Sequence, residues 1–220
     1  VIGAGVAGLA VARALALRGA AVTVLEQADA VREVGSGLQI SPNGAAVLRA
    51  LGLQDALDAA SMRADAVQLI DGPTGDPVTR LDLARLRPGQ GYHFLHRADL
   101  IDLLLHAATE AGVTIRLLSR IDAVDLNGPH PAVALDSGER LDKPLLIGAD
   151  GLHSKTRAAL NGAETPFFTR QVAWRAVIPC EPGAAPVAEV HMGPGRHLVS
   201  YPLRNGTLRN IVAIEERDKW

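Results

Sequence analysis

One stretch constrains the fold of this chain more than any other. Val1-Ile2-Gly3-Ala4-Gly5-Val6-Ala7-Gly8 runs directly into Leu9-Ala10-Val11-Ala12-Arg13-Ala14-Leu15-Ala16-Leu17. An apolar strand end, a glycine turn and a run of helix formers follow one another, with the glycines spaced G-x-G-x-x-G. Gly3 permits a turn that a side chain would obstruct, Gly5 lets the backbone approach a pyrophosphate, and Gly8 lets the helix pack close to the strand. The helix N-terminus then offers unpaired N–H groups and partial positive charge to the phosphates. Val22-Thr23-Val24-Leu25 reads as the next strand, and Glu26 closes it. An acid at that distance can hold a ribose diol through two hydrogen bonds. A glycine-rich turn with no ligand explains the spacing less well than a dinucleotide site does. Which dinucleotide binds is left open by this stretch alone.

The rest of the composition narrows the class. A chain of 220 residues can bury a substantial core in one or two domains. Its formal net charge of -2 argues against the broad basic surface that a nucleic-acid partner needs. A single cysteine, Cys180, rules out an intrachain disulfide framework and suits a reducing, cytoplasmic compartment. No apolar run approaches the roughly 20 residues that span a bilayer. The first residue is Val, already inside a strand, so the N-terminus is expected to be trimmed.

Along the chain, Ala7 to Leu17 reads as a helix ended by Arg18-Gly19, and Gln27 to Gln39 as a polar, glycine-bearing loop. Ser41-Pro42-Asn43 opens a helix with Val47, Leu48, Leu51 and Leu53 as its apolar positions. Val67 to Ile70 and Val78 to Leu83 alternate like an antiparallel pair joined by turn residues. His96-Arg97-Ala98-Asp99 opens a helix with a wide apolar face, stopped at Gly112. Strands are expected at Val113 to Leu117, Ile121 to Leu126, Ala132 to Leu135 and Leu145 to Ile147, and a helix from Ser154 to Leu160. Beyond Ala163, four strand candidates separated by Pro- and Gly-rich loops read as a mostly antiparallel sheet. The expected architecture is α/β: a Rossmann-like nucleotide-binding domain, residues 1–66 and 92–163, with an inserted and extended β-rich domain, residues 67–91 and 164–220.

Three further segments carry chemistry. Asp150-Gly151 lies between a short strand and a helix, where carboxylate and backbone can reach a cofactor; as an isolated dipeptide it is more simply a turn. Arg97 puts a cation at a helix start, against the dipole, a conflict that an anionic ligand relieves as readily as solvent does. Arg32 can grip phosphate with its guanidinium or lie on the surface. The histidines show no metal-ligand spacing, and no metal site is expected.

Taken together, the chain resembles the FAD-dependent aromatic hydroxylases, the single-component flavoprotein monooxygenases that include salicylate and hydroxybenzoate hydroxylases. The resemblance rests on Gly3 to Gly8, Glu26, Arg32 to Gly37, Ser41-Pro42-Asn43, Arg97 to Leu100, and Gly148 to Gly151 with Ser154 and Arg157. Trp174-Arg175 and Tyr201 to Arg204 extend it into the β-rich half. It implies FAD as the dinucleotide, with Glu26 on the adenosine ribose, Arg97 on the diphosphate–ribose region, and Asp150-Gly151 serving both FAD and the nicotinamide cofactor. It also implies NADH or NADPH as electron donor, and hydroxylation of a small aromatic acid or phenol by dioxygen through a flavin hydroperoxide. The family's later Gly-Asp segment is missing before Trp220, so the chain is expected to be the first part, somewhat over half, of an enzyme truncated at its C-terminus.

On the substrate side the candidates are His197 and Tyr201, four apart on one strand and therefore on one face. Some hydroxybenzoate-type members carry His-x-x-x-Tyr in the matching strand. Ionising a phenol raises its ring electron density, and an unperturbed phenol has a pKa of about 10, so a nearby base or cation is useful. Four strand steps cover about 13 Å, so the two side chains can flank a ring but cannot meet at one atom. The competing readings are an NAD-only dehydrogenase, which leaves Arg97 and Asp150-Gly151 unexplained, and a non-catalytic nucleotide-binding module.

Overall fold

The computed structural model describes residues 1–31, 35–180 and 183–219. From the N-terminus the elements are α1 (Val6–Ala16), β1 (Thr23–Leu25), β2 (Gly37–Ile40), α2 (Pro42–Ala50), α3 (Gln54–Ala60) and β3 (Met62–Arg63). There follow β4 (Ala66–Asp71), β5 (Pro77–Asp82), α4 (Leu83–Leu86), β6 (His93–His96), α5 (Arg97–Glu110) and β7 (Thr114–Arg116). Then come β8 (Ile121–Asp125), β9 (Ala132–Leu135), β10 (Arg140–Asp142), α6 (Lys155–Asn161) and β11 (Gln171–Pro179). The last are β12 (Val187–Gly193), β13 (Arg196–Leu203), a single 3-10 turn (Arg204–Gly206) and β14 (Leu208–Glu216). No helix among the described residues is long and apolar enough to cross a membrane.

Two compact units emerge: Val1–Glu33 with Ile101–Pro166, and Val34–Leu100 with Phe167–Trp220. Residues 34–66 and 92–100, expected with the nucleotide-binding part, therefore pack with the β-rich part. The cause is visible in the strands: β2, β6 and β3 form a sheet of their own, and Phe94 of β6 packs into the same cluster as Ala188, Tyr201 and Leu203.

In the first unit Ile2 bridges Leu25 on one side and Gly148 on the other, both in parallel, and β1 pairs in parallel with β7. The ladder is explicit: Gly3 N donates to Leu25 O, Ala149 N to Ile2 O, and Glu26 N to Arg116 O, each at 2.8 Å. The strand expected at Leu145 to Ile147 is reduced to the bridge at Gly148, where Ile147 O accepts from Ile2 N at 2.8 Å. β8, β9 and β10 form an antiparallel meander, and β10, with one apolar residue between two charged ones, gave no strand signal in the sequence. Ile2, Leu25, Ile121, Val133 and Leu135 bury together between these strands. Each such side chain stabilises the unit by roughly 1.5–3 kcal/mol relative to exposure.

The second unit holds a six-stranded sheet in the order β11-β14-β13-β12-β4-β5. Every pairing in it is antiparallel except β12 with β4, as the alternating late segments predict. In α2, Pro42 occupies the first turn after Ser41, and Leu48, Leu51 and Leu53 are buried as expected, whereas Val47 faces out. At the start of α5, Asp99 accepts both arms of the Arg204 guanidinium, at 2.7 and 3.1 Å. This pair ties the helix to the left-handed turn at Arg204-Asn205 that feeds β14.

Candidate functional site

The first unit carries a cavity of about 540 Å³ at the N-terminus of α1, lined by Gly3, Gly5, Glu26, Asp150 and Gly151 among others. The glycine turn builds it. Gly3 has φ +95°, and a Cβ there would sit 2.5 Å from Ala149 O. A Cβ on Gly8 would sit 1.9 Å from Gly3 O, so the helix can approach the turn only with glycine at that position. Gly5 differs: a methyl group there would meet nothing within 4 Å and would occupy the cavity itself. Gly5 is the N-cap of α1, with no side-chain cap and no acid in the first turn. The first N–H groups of the helix and its positive dipole end are thus left for an anion.

Glu26 is held at the end of β1 by two backbone donors: Ala4 N to Oε2 at 2.8 Å and Ala28 N to Oε1 at 2.9 Å. Each oxygen retains a lone pair that can accept from a hydroxyl. Arg120 and Lys155 add positive charge to the lining, residues that carry no motif in the sequence. Space at Gly5, an uncapped helix end, an oriented carboxylate and two cations make a set of donors and acceptors that fits the adenosine diphosphate half of a dinucleotide.

Asp150 lines the same cavity, but its carboxylate already has partners. It accepts from Ser154 Oγ at 2.6 Å, Thr156 N at 3.1 Å and Thr156 Oγ1 at 3.2 Å, which anchors the start of α6. Burial acts to raise its pKa, but these donors outweigh it and hold the carboxyl below the usual carboxylate range. Gly151, with φ +73°, makes the turn between the two.

Arg97, His197 and Tyr201 belong to the second unit, and Arg32 lies outside the described residues. Arg97 is exposed at the first position of α5, its backbone N donating to Ser36 O at 3.0 Å. His197 and Tyr201 lie on the same face of β13, whose pairing with β14 runs without interruption across both. His197 is half-buried. Tyr201 is 3% exposed, with its ring 5.0 Å from that of Phe94. Burial pushes the Tyr201 hydroxyl up to about 12, with Arg175 pulling the other way.

A second cavity, of about 460 Å³, sits on this sheet, with Leu198 and Ala213 between Trp174 and His191. Those four form one cross-strand row, Trp174–Ala213–Leu198–His191, on the face opposite Tyr201 by alternation, but His197, near the strand end, also borders this cavity. The His–Tyr face is the one with chemistry on it: Tyr201, Asn210, Tyr92 and Gln39 gather there, Tyr92 Oη donating to Gln39 Oε1 at 2.6 Å. Asn210 escaped the sequence reading. Its signal was there as the one polar residue in the otherwise apolar alternation Leu208, Asn210, Val212, Ile214.

The fold and the α1 cavity define a dinucleotide-binding protein. The profile of the FAD binding domain matches residues 1–214, and the chain belongs to that family. It is 36% identical over 226 residues to 3-amino-4-hydroxybenzoate 2-monooxygenase of Streptomyces cremeus, an alignment covering 97% of this chain and 55% of the relative. It is 33% identical over 221 residues to 3-hydroxybenzoate 6-hydroxylase 1 of Aquipseudomonas alcaligenes, covering 96% of this chain and 56% of that one. Among solved structures, CtdE in complex with FAD and a substrate superposes with a TM-score of 0.88 at 23% identity, over 100% of this chain and 57% of CtdE. A variant of Klebsiella pneumoniae HpxO complexed with FAD superposes at 0.86 and 22%, over 100% of this chain and 57% of HpxO. These two likenesses concern the fold. The chain spans about half the length of the curated relatives it matches.

Proposed function

We propose that this chain is the FAD-gripping and substrate-facing part of an NAD(P)H-dependent flavoprotein monooxygenase that hydroxylates a small aromatic acid with dioxygen in the cytoplasm. The observation that carries the reading is the cavity at the N-terminus of α1, open at Gly5 and flanked by the oriented Glu26 carboxylate. The kinship to two benzoate-type hydroxylases at 36% and 33% identity supports the reaction class.

In this reading, residues 1–66 and 92–163 hold FAD. Gly3, Gly5 and Gly8 shape the turn, α1 receives the diphosphate, Glu26 accepts from the adenosine ribose, and Arg32 and Arg97 contact the diphosphate region. Asp150 fixes the Gly151 turn through its grip on α6 and presents that backbone to the cofactors. Residues 67–91 and 164–220 face the substrate. Bound FAD, reduced by NADH or NADPH, supplies the electrons that activate dioxygen. His197 accepts the proton of the substrate's ring hydroxyl, which enriches the ring for attack by an electrophilic oxygen. Tyr201, whose high pKa keeps it a neutral phenol at neutral pH, lies four strand residues away and donates a hydrogen bond to an oxygen at the opposite end of the substrate. Its packing against Phe94 keeps water from that side of the ring.

Titration with FAD followed by flavin fluorescence, then NAD(P)H oxidation measured over a panel of hydroxybenzoates, tests the proposal. Saturable FAD uptake and acid-stimulated oxidation that yields hydroxylated product are expected. Failure of the full-length protein to take up FAD would overturn it.

A further inference from the structure

Asn210 is fully buried, stands directly opposite Tyr201 across the β13–β14 ladder, and its amide is only half used. Oδ1 accepts from Gly37 N at 2.6 Å. Nδ2 has no hydrogen-bond partner among the described residues. A backbone N–H can only donate, so the oxygen of the amide must face Gly37, and the side chain cannot turn over. Nδ2 is then fixed on the other side, where it too can only donate. The site is tight enough to hold this arrangement. A Cβ on Gly37 would lie 2.8 Å from Asn210 Cγ and 2.9 Å from Tyr201 Cε2, so the amide and the phenol ring press on the same glycine. An unmet donor in such a place carries the full penalty of losing its water, and an acceptor beside it recovers that.

We propose that Asn210 is a positioning residue that sets the direction of the Tyr201 hydroxyl: Nδ2 donates to Tyr201 Oη, and the phenol proton is thereby turned away from the protein and toward the substrate's oxygen. The inference rests on the reading of Tyr201 as a substrate-side residue. The polarity of the chain follows step by step. Gly37 N–H commits Oδ1, Oδ1 commits Nδ2, Nδ2 makes Tyr201 Oη an acceptor, and a phenol that accepts from the protein has its own proton to give. The slight favouring of phenolate by the adjacent amide agrees with this order, although burial dominates the hydroxyl. Asn210 also links the Gly35–Gly37 segment to the tyrosine, so a single side chain registers one strand of the small sheet against the substrate face of the large one.

The chain has two tyrosines, so a Tyr92→Phe background leaves Tyr201 as the sole tyrosine reporter. The intensity ratio of the tyrosine Raman doublet distinguishes a phenol that accepts a hydrogen bond from one that donates. The full chain carrying Tyr92→Phe should give the acceptor pattern without substrate, and Asn210→Asp, which keeps the oxygen for Gly37 but removes the donor, should convert it to the donor pattern. A donor pattern with Asn210 intact, or no change in folded Asn210→Asp protein, would overturn the proposal. If that variant does not fold, the first spectrum decides alone. In FAD-loaded protein Asn210→Asp should lower the hydroxylated product formed per NAD(P)H several-fold, and should add nothing to Tyr201→Phe; a further loss on top of Tyr201→Phe would also overturn it. An intact FAD-loaded chain that gives no hydroxylated product contradicts the reaction, and the spectra still judge the relay.

Discussion

Gly5 and Gly8 are identical residues three positions apart, with opposite expected consequences when changed. A methyl group on Gly8 would press on Gly3 O at 1.9 Å, backbone against backbone, so Gly8→Ala should destabilise the first unit by roughly 1–3 kcal/mol in urea unfolding. The same substitution at Gly5 meets no protein atom within 4 Å and should leave unfolding nearly unchanged while weakening FAD binding in a fluorescence titration. Equal stability losses at both sites would mean that Gly5 serves packing and not a ligand. The substrate side has its own residue-level expectation. His197→Ala should slow hydroxylation far more than it slows NAD(P)H-driven flavin reduction, measured separately by stopped flow. Equal loss of the two steps would remove His197 from the proton-accepting role.

At the scale of elements, the substrate face depends on how β6 is seated. Its residues alternate: Phe94 packs with Tyr201, and His93 turns the other way, toward α3. There His93 Nδ1 lies 2.9 Å from Ser61 Oγ, and Ser61 in turn donates to Leu57 O at 2.6 Å, the end of the helix. Burial holds the His93 pKa below its usual value; Asp58 opposes that shift, and Arg63 and Arg49 add to it. With the folded pKa lowered, the unfolded chain binds the proton more readily. Stability is therefore complete above the unfolded value of about 6.5, declines as the pH falls below it, and levels off beneath the folded pKa. His93→Asn removes the titrating group, so urea unfolding between pH 7 and acid should show a shallower decline than wild type. An unchanged slope would assign the acid sensitivity to other groups.

For the whole molecule, what could be read from the sequence tracks how local the cause was. α1, β1 and Glu26 follow from spacing within one βα unit, and the four late strands follow from period-two alternation between turn residues; all of these form as expected. The compact units do not follow from local pattern, because β2 and β6 join the second unit through pairing and through Phe94, contacts distant in sequence. Asp150 was legible as a site residue only by resemblance, and its service to the start of α6 emerges from three hydrogen bonds that a sequence cannot specify. Asn210 shows the same limit from the other side, since a polar residue in an apolar alternation announces a buried partner without naming it. The central claim concerns a reaction, and it is tested most directly by supplying the FAD-loaded protein with NAD(P)H, a hydroxybenzoate and isotopically labelled dioxygen. The account predicts one labelled oxygen atom in each hydroxylated product molecule, formed only when the aromatic acid is present. NAD(P)H consumption without labelled product from any acid in the panel would contradict it.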